Sequence, residues 1–156
     1  NKDIITNDEN IPIMLKYEIE GKIFTGTYIS IGNPHFVIFE RTIDNLNLEK
    51  IGRIIENDKY FPNRVNVEVA QIMDKSNIKM RVWERGSGET FSCGTGACAT
   101  AKISNFYGFT RDIVKVHLKG GALDVRLNKQ TDEIYLAGIS SKVFDGSIVN
   151  EIVGII

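Results

Sequence analysis

Apolar residues recur at every second position over much of this chain. Val65, Val67 and Val69 alternate with Asn66, Glu68 and Ala70, and after Asp74-Lys75-Ser76-Asn77 the alternation resumes at Ile78, Met80 and Val82. That period predicts an antiparallel hairpin whose first strand has one buried face. Two looser alternating runs, 14–19 and 22–31, flank Glu20-Gly21, a hairpin signal. Phe36-Val37-Ile38-Phe39 reads as a short strand after the turn residues Gly32-Asn33-Pro34-His35, and further strands are expected over 114–118, 123–127 and 134–137. Leu48, Ile51, Ile54 and Ile55 instead fall on one helical face, with Asn45 or Asn47 as cap and an end by Asn57-Asp58.

One segment breaks the pattern. From Thr95 to Tyr107 the sequence TGACATAKISNFY carries a single charge, Lys102, and Gly108 follows as a helix terminator. Gly96, Ala97, Cys98, Ala99, Ala101 and Ser104 are all small. A helix with so little polar face belongs inside a protein, and small side chains let strands approach its backbone. The economical architecture is an α+β domain in which a mostly antiparallel or mixed sheet curls as a barrel around this central, largely buried helix.

Composition narrows the function without naming it. The chain has 156 residues, enough for one domain with a sizeable core, and a formal net charge of −1 that suggests neither nucleic acid nor an anionic membrane as partner. Its longest apolar stretch falls short of the roughly 18 residues a membrane span needs. Two cysteines give neither a disulfide framework nor metal-ligand spacing, so no metal is expected and a reducing cytoplasm is the default.

Chemistry concentrates just before the small-residue helix. Arg85-Gly86-Ser87-Gly88-Glu89-Thr90-Phe91-Ser92 reads as a flexible loop that delivers Cys93 and Gly94 to the helix N-terminus. First-turn amides there lack intrahelical partners and carry the positive end of the helix dipole. A thiol so placed is expected to ionise more readily than a free one, and the amides of Gly94, Thr95 and Gly96 offer a receptor for a carboxylate or phosphate. The alternative reading of Cys93 is a small buried hydrophobe. Cys98 lies about 140° further round the helix and is read as packing. No Lys-Ser or Lys-Thr pair follows the glycines, which excludes a nucleotide P-loop. Of the two histidines, His117 reads as a solvated strand residue, while His35 and Asn33 sit in a turn that presents them to a ligand or serves structure alone.

Longer strings carry a resemblance. SIGNPHFVIF (Ser30 to Phe39), FPNRVNVE (Phe61 to Glu68) and WERGSGETFSCGTGACA (Trp83 to Ala99) resemble the signature segments of diaminopimelate epimerases, and Lys119-Gly120-Gly121-Ala122-Leu123 and Val143-Phe144-Asp145-Gly146-Ser147-Ile148 fit in the same order. Proline racemases and the phenazine-biosynthesis isomerases are expected to share the fold; the former lack the ERGxGET lead-in and the latter lack the cysteine.

The resemblance implies an isomerase of lysine and peptidoglycan precursor synthesis that needs no cofactor, neither pyridoxal phosphate nor metal. It interconverts LL- and meso-diaminopimelate with two cysteine bases, one taking the α-proton as thiolate while the other, as thiol, protonates the opposite face. It implies Cys93 as one base, tuned by His35 and Glu84, with Asn33, Asn66, Glu84 and Arg85 as substrate contacts and Gly94 and Thr95 holding the α-carboxylate. No segment of residues 1–92 resembles the family's other cysteine motif, so the chain is expected to be the C-terminal domain alone, with residues 1–12 and 149–156 as interdomain segments. On that expectation it holds half a mechanism, its partner is the first domain, and the intact protein is a homodimer. A binding domain without catalysis and a cysteine hydrolase or transferase are the competing classes.

Overall fold

The computed structural model describes residues 13–147, so the expectations for residues 1–12, for 149–156 and for Ile148 of the last motif lie outside the described residues. Nine strands and two helices follow in the order β1 (Met14–Ile19), β2 (Lys22–Ser30), β3 (Pro34–Phe39), α1 (Leu48–Glu56), β4 (Asn66–Asp74), β5 (Asn77–Glu84), β6 (Gly88–Thr90), α2 (Gly94–Phe106), β7 (Ile113–Leu118), β8 (Gly121–Asn128) and β9 (Glu133–Ala137). The strands form one mixed sheet in the order β1-β2-β3-β4-β5-β7-β8-β9, with β6 paired to β5. The pairs β3–β4 and β5–β7 are parallel; every other pair is antiparallel.

Helix α2 rests against β2, β3, β4, β5, β7, β8 and β9. At about 4.8 Å per neighbour those strands laid flat would extend roughly 29 Å, against a helix about 10 Å across. The sheet therefore curls around the helix, as the small residues require. Ala97, Ala99 and Ala101 are wholly buried in the contact. The expected barrel does not close, however: β1 and β9 end the sheet and do not pair with each other. The reason lies in α2, whose less buried residues Thr95, Lys102 and Phe106 fall on one stripe at helical spacing. A helix with a narrow polar stripe needs no strand over that stripe.

Helix α1 covers the opposite face, packing on β4 and β5. Asn47 caps it, its side chain accepting from the Lys50 amide at 3.1 Å, and Leu48, Ile51, Gly52 and Ile55 are buried. Ile54, expected on that face, is 43% exposed because it sits a third of a turn away. With a helix on each side, β4 is buried on both faces, contrary to the expectation of one: Val65, Val67 and Val69 pack toward α1 while Asn66, Glu68 and Ala70 face α2. The glycine-rich lead-in is not a loose loop either, since Gly88, Glu89 and Thr90 pair with Glu84, Trp83 and Val82.

Two contacts lock α1 onto the sheet. Gly52 lies so close to Trp83 that an added Cβ would overlap the ring. Glu56 accepts from Trp83 Nε1 at 2.7 Å, from the Gly86 amide at 2.8 Å and from Arg64 Nη1 at 3.3 Å. Burial alone would push the Glu56 carboxyl up, but these hydrogen bonds and the Arg64 charge outweigh it and hold the group below its ordinary 4.5.

Gly52→Ala sets a gain of about 1 kcal/mol in helix propensity against overpacking on Trp83 of about 1–3 kcal/mol. A net loss of stability is expected in urea unfolding. Glu56→Gln is expected to destabilise by about 1–3 kcal/mol at neutral pH. Because the folded carboxyl binds its proton less readily than the unfolded one, its contribution is present above pH 4.5 and fades below it. Unfolding curves of wild type and variant should therefore converge on acidification, and a gap that stays constant with pH would contradict this account.

Candidate active site at the N-terminus of helix α2

Sheet direction gathers the candidate residues at one end. In the parallel pair β3–β4, His35 stands beside Asn66, and antiparallel β5 brings Trp83 opposite Val67, so Glu84 and Arg85 leave the sheet where Asn66 enters it. Gly32, at φ 106°, makes the turn that sets Asn33 just ahead of His35. The first turn of α2 arrives at the same place.

Cys93 is the N-cap of α2, in extended conformation at φ −142° and ψ 110°. Its Sγ accepts from the Gly96 amide at 3.3 Å and lies 3.5 Å from Thr95 Oγ1, so sulfur fills the place that oxygen takes in an ordinary cap. The Gly94 and Thr95 amides, being first-turn groups, have no acceptor within the helix. Thr95 is exposed and Gly94 half-buried at this end of the helix.

From Cys93 a chain of side chains runs inward. Asn33 Nδ2 donates to Thr95 Oγ1 at 3.2 Å, and Asn33 Oδ1 lies 3.0 Å from His35 Nε2. His35 Nδ1 is 2.7 Å from Glu68 Oε1, and both of these side chains are fully buried. His35 therefore sits behind the site, with both ring nitrogens engaged. A second group lies beside it: the Asn66 Oδ1 accepts from the Arg85 amide at 2.9 Å, Arg85 Nη1 donates to the Asn63 carbonyl at 2.9 Å, and Glu84 Oε1 accepts from Thr90 Oγ1 at 2.5 Å.

Burial pushes the Cys93 thiol up, and the nearby Glu84 charge pushes the same way; the hydrogen bonds from Thr95 and Gly96 only partly offset them. The expectation of a readily ionised thiol is thus reversed. A helix end contributes about 0.3–1 kcal/mol, and loss of solvent around a thiolate outweighs it. Cys98 is pushed up as well, chiefly by burial, and packs with Met80 and Val125 in the core.

Glu68 is the site residue that sequence reasoning missed. Its signal was position: two residues after Asn66 on the strand face that meets the small-residue helix, opposite a glycine. A Cβ at Gly96 would stand 2.7 Å from Glu68 Oε1. Among the described residues no three His, Cys, Asp or Glu side chains group to hold a metal, and no helix is long and apolar enough to cross a membrane.

A buried thiol that caps a helix, backed by a polar chain and with the Glu84 carboxyl nearby, is a candidate site for acid–base chemistry. Residues 27–143 match the family model for diaminopimelate epimerase. The chain is 41% identical over 157 aligned positions to the diaminopimelate epimerase of Acetivibrio thermocellus, covering 95% of this chain and 56% of that one. It is 46% identical over 125 positions to that of Bacteroides thetaiotaomicron, covering 80% and 47%. A solved phenazine biosynthesis protein of the PhzF family from Bacillus anthracis is also partly similar, at TM-score 0.49 and 21% identity, covering 72% of this chain and 38% of that one. The chain belongs to the diaminopimelate epimerase family, and it spans about half the length of the curated relatives it matches.

Alkylation by iodoacetamide should be slow for both cysteines at pH 8 and should accelerate for Cys93 only as the pH passes the ordinary thiol value of 9.0. Rapid labelling of Cys93 near neutrality, read by mass spectrometry of the peptides, would contradict the burial argument.

Proposed function

We propose that this chain supplies one of the two proton-transferring cysteines of a diaminopimelate epimerase, an isomerase that interconverts the LL and meso forms of 2,6-diaminopimelate. The observation that carries the reading is Cys93 as the sulfur cap of α2, its Sγ held by the Gly96 amide in the same first turn as Gly94 and Thr95. In this scheme the Gly94 and Thr95 amides receive the substrate α-carboxylate, which brings Cα to Cys93. Asn66, Glu84 and Arg85 line the same mouth and contact the amino acid head.

A base on the far side takes the α-proton, and the C–H electron pair remains on the substrate as a carbanion spread into its carboxylate. Cys93 then gives its S–H proton to the opposite face and is left as a thiolate, stabilised by Gly96 and Thr95. In the reverse direction that thiolate is the base. Raising a thiol's pKa makes its thiolate a stronger base, which suits a proton as weakly acidic as this one. The carbanion is the costly species, and fixed donors in a dry site are what lower it.

The second base is a cysteine supplied by a first domain. Cys98 is packed five residues into α2 and does not face the mouth. We further propose that the intact enzyme is a cytoplasmic homodimer serving lysine and peptidoglycan precursor synthesis, and that this chain alone binds the substrate without turning it over.

Deuterium incorporation at Cα of LL-diaminopimelate in D₂O is the direct measurement, made with this chain alone and with a first domain added. Exchange is expected only in the mixture, and Cys93→Ser is expected to lower it by about 10³-fold or more. Full exchange with Cys93→Ser would remove Cys93 from the mechanism.

A further inference from the structure

Glu68 is deeply buried, and half of its carboxyl has no partner. Oε1 touches His35 Nδ1 at 2.7 Å, while Oε2 is buried without a hydrogen bond among the described residues. An ionised carboxylate spreads its charge over both oxygens, so leaving one bare and away from water is heavily penalised. A protonated carboxyl turns its O–H toward one neighbour and leaves only a carbonyl oxygen bare. Burial pushes Glu68 that way, despite His35 pulling it down, and the nearby Glu84 charge adds to the effect.

That proton fixes a direction. Asn33 Oδ1, 3.0 Å from His35 Nε2, is an acceptor, so Nε2 carries the hydrogen and Nδ1 is left to receive one from Glu68. With its oxygen committed to His35, Asn33 turns its amide nitrogen to Thr95 Oγ1. The Thr95 oxygen accepts there, so its own hydrogen is free to point at Cys93 Sγ, 3.5 Å away. Every donor in the row then faces the sulfur.

We propose that Glu68 is a positioning residue that, through the tautomer of His35, sets the direction of the hydrogen-bond chain ending on Cys93 Sγ, so that Thr95 donates to the sulfur. Removing the proton between Glu68 and His35 reverses the row. Nδ1–H then donates to Glu68, bare Nε2 accepts from Asn33, Asn33 Oδ1 accepts from the Thr95 hydroxyl, and the Thr95 oxygen accepts from S–H. The first direction favours the thiolate and the second the thiol, with the Gly96 amide donating to sulfur in both. Gly96 also keeps Glu68 in place, since any side chain there would meet Oε1. The catalytic consequence rests on the proton-transfer role proposed for Cys93; the hydrogen-bond direction does not.

Two-bond ¹H–¹⁵N correlation spectra of the chain, labelled at histidine, read the tautomer, with an H117N variant assigning the two rings. Hydrogen on Nε2 of His35 is expected in wild type and in E68Q, whose amide keeps a donor toward Nδ1. E68L is expected to mix the tautomers. In the mixture with a first domain, Cα-proton exchange should stay within about threefold for E68Q, one hydrogen bond being traded for another, and fall about tenfold or more for E68L. Hydrogen on Nδ1 with Nε2 bare in wild type would overturn the proposal, as would an E68Q exchange loss as deep as that of E68L with the tautomer unchanged. If E68L does not fold, the wild-type and E68Q results decide. Absence of exchange in the wild-type mixture would count against the epimerase reading alone, because the spectra need no substrate.

Discussion

A helix with almost no polar face has to be wrapped, and that requirement organises the rest of this protein. Helix α2 presents alanines, glycine and serine to the sheet, so seven strands come close to its backbone. Once its N-terminus is enclosed, the first-turn amides need partners or an opening to solvent. Cys93 satisfies one through its sulfur, and those of Gly94 and Thr95 have no acceptor within the helix. The absence of a side chain at Gly96 is part of the same solution, because it makes room for a carboxyl beside the cap.

Enclosure also decides the electrostatics. A helix terminus on a surface favours a thiolate modestly, but this one delivers its sulfur into a poorly solvated place between two carboxyl groups. The thiol is consequently held in its protonated form, and the donors around it can stabilise its anion without making the anion its resting state. A site of this kind keeps acid and conjugate base within reach of each other, the condition for moving a proton in either direction.

Where residues obey a single local rule, the sequence was easily read. The valines of β4, the Asn47 cap and the small residues of α2 announced a strand, a helix start and a buried helix. Errors arose where two layers act on one residue. Alternation in β4 suggested one wet face because a second helix over Asn66 and Glu68 is not a local property. Ile54 looked buried and the barrel looked closed for the converse reason: coverage ended one residue or one stripe earlier than the apolar pattern implied. At the site, Cys93, Asn33, His35 and Thr95 are brought into one connected row, and Asn66, Glu84 and Arg85 lie beside it. The motif strings located all of them; Glu68 closes one of those strings but was given no role, because the alternation of its strand set it on the face opposite the valines. The direction of the thiol shift was missed because the dipole argument sees the helix but not the depth at which it ends.

The row from Glu68 to Cys93 joins residues far apart in the chain: 33 positions separate His35 from Glu68, and 62 separate Asn33 from Thr95. No local turn or helix closes those gaps. They close only when β3, β4 and α2 have docked together, after the entropy of long loops has been overcome. A collapsed state with its strands and helices intact but its packing loosened would retain every one of these residues and none of their alignment. The chemistry is therefore a property of the finished tertiary structure, acquired late in folding and surrendered early when the core loosens.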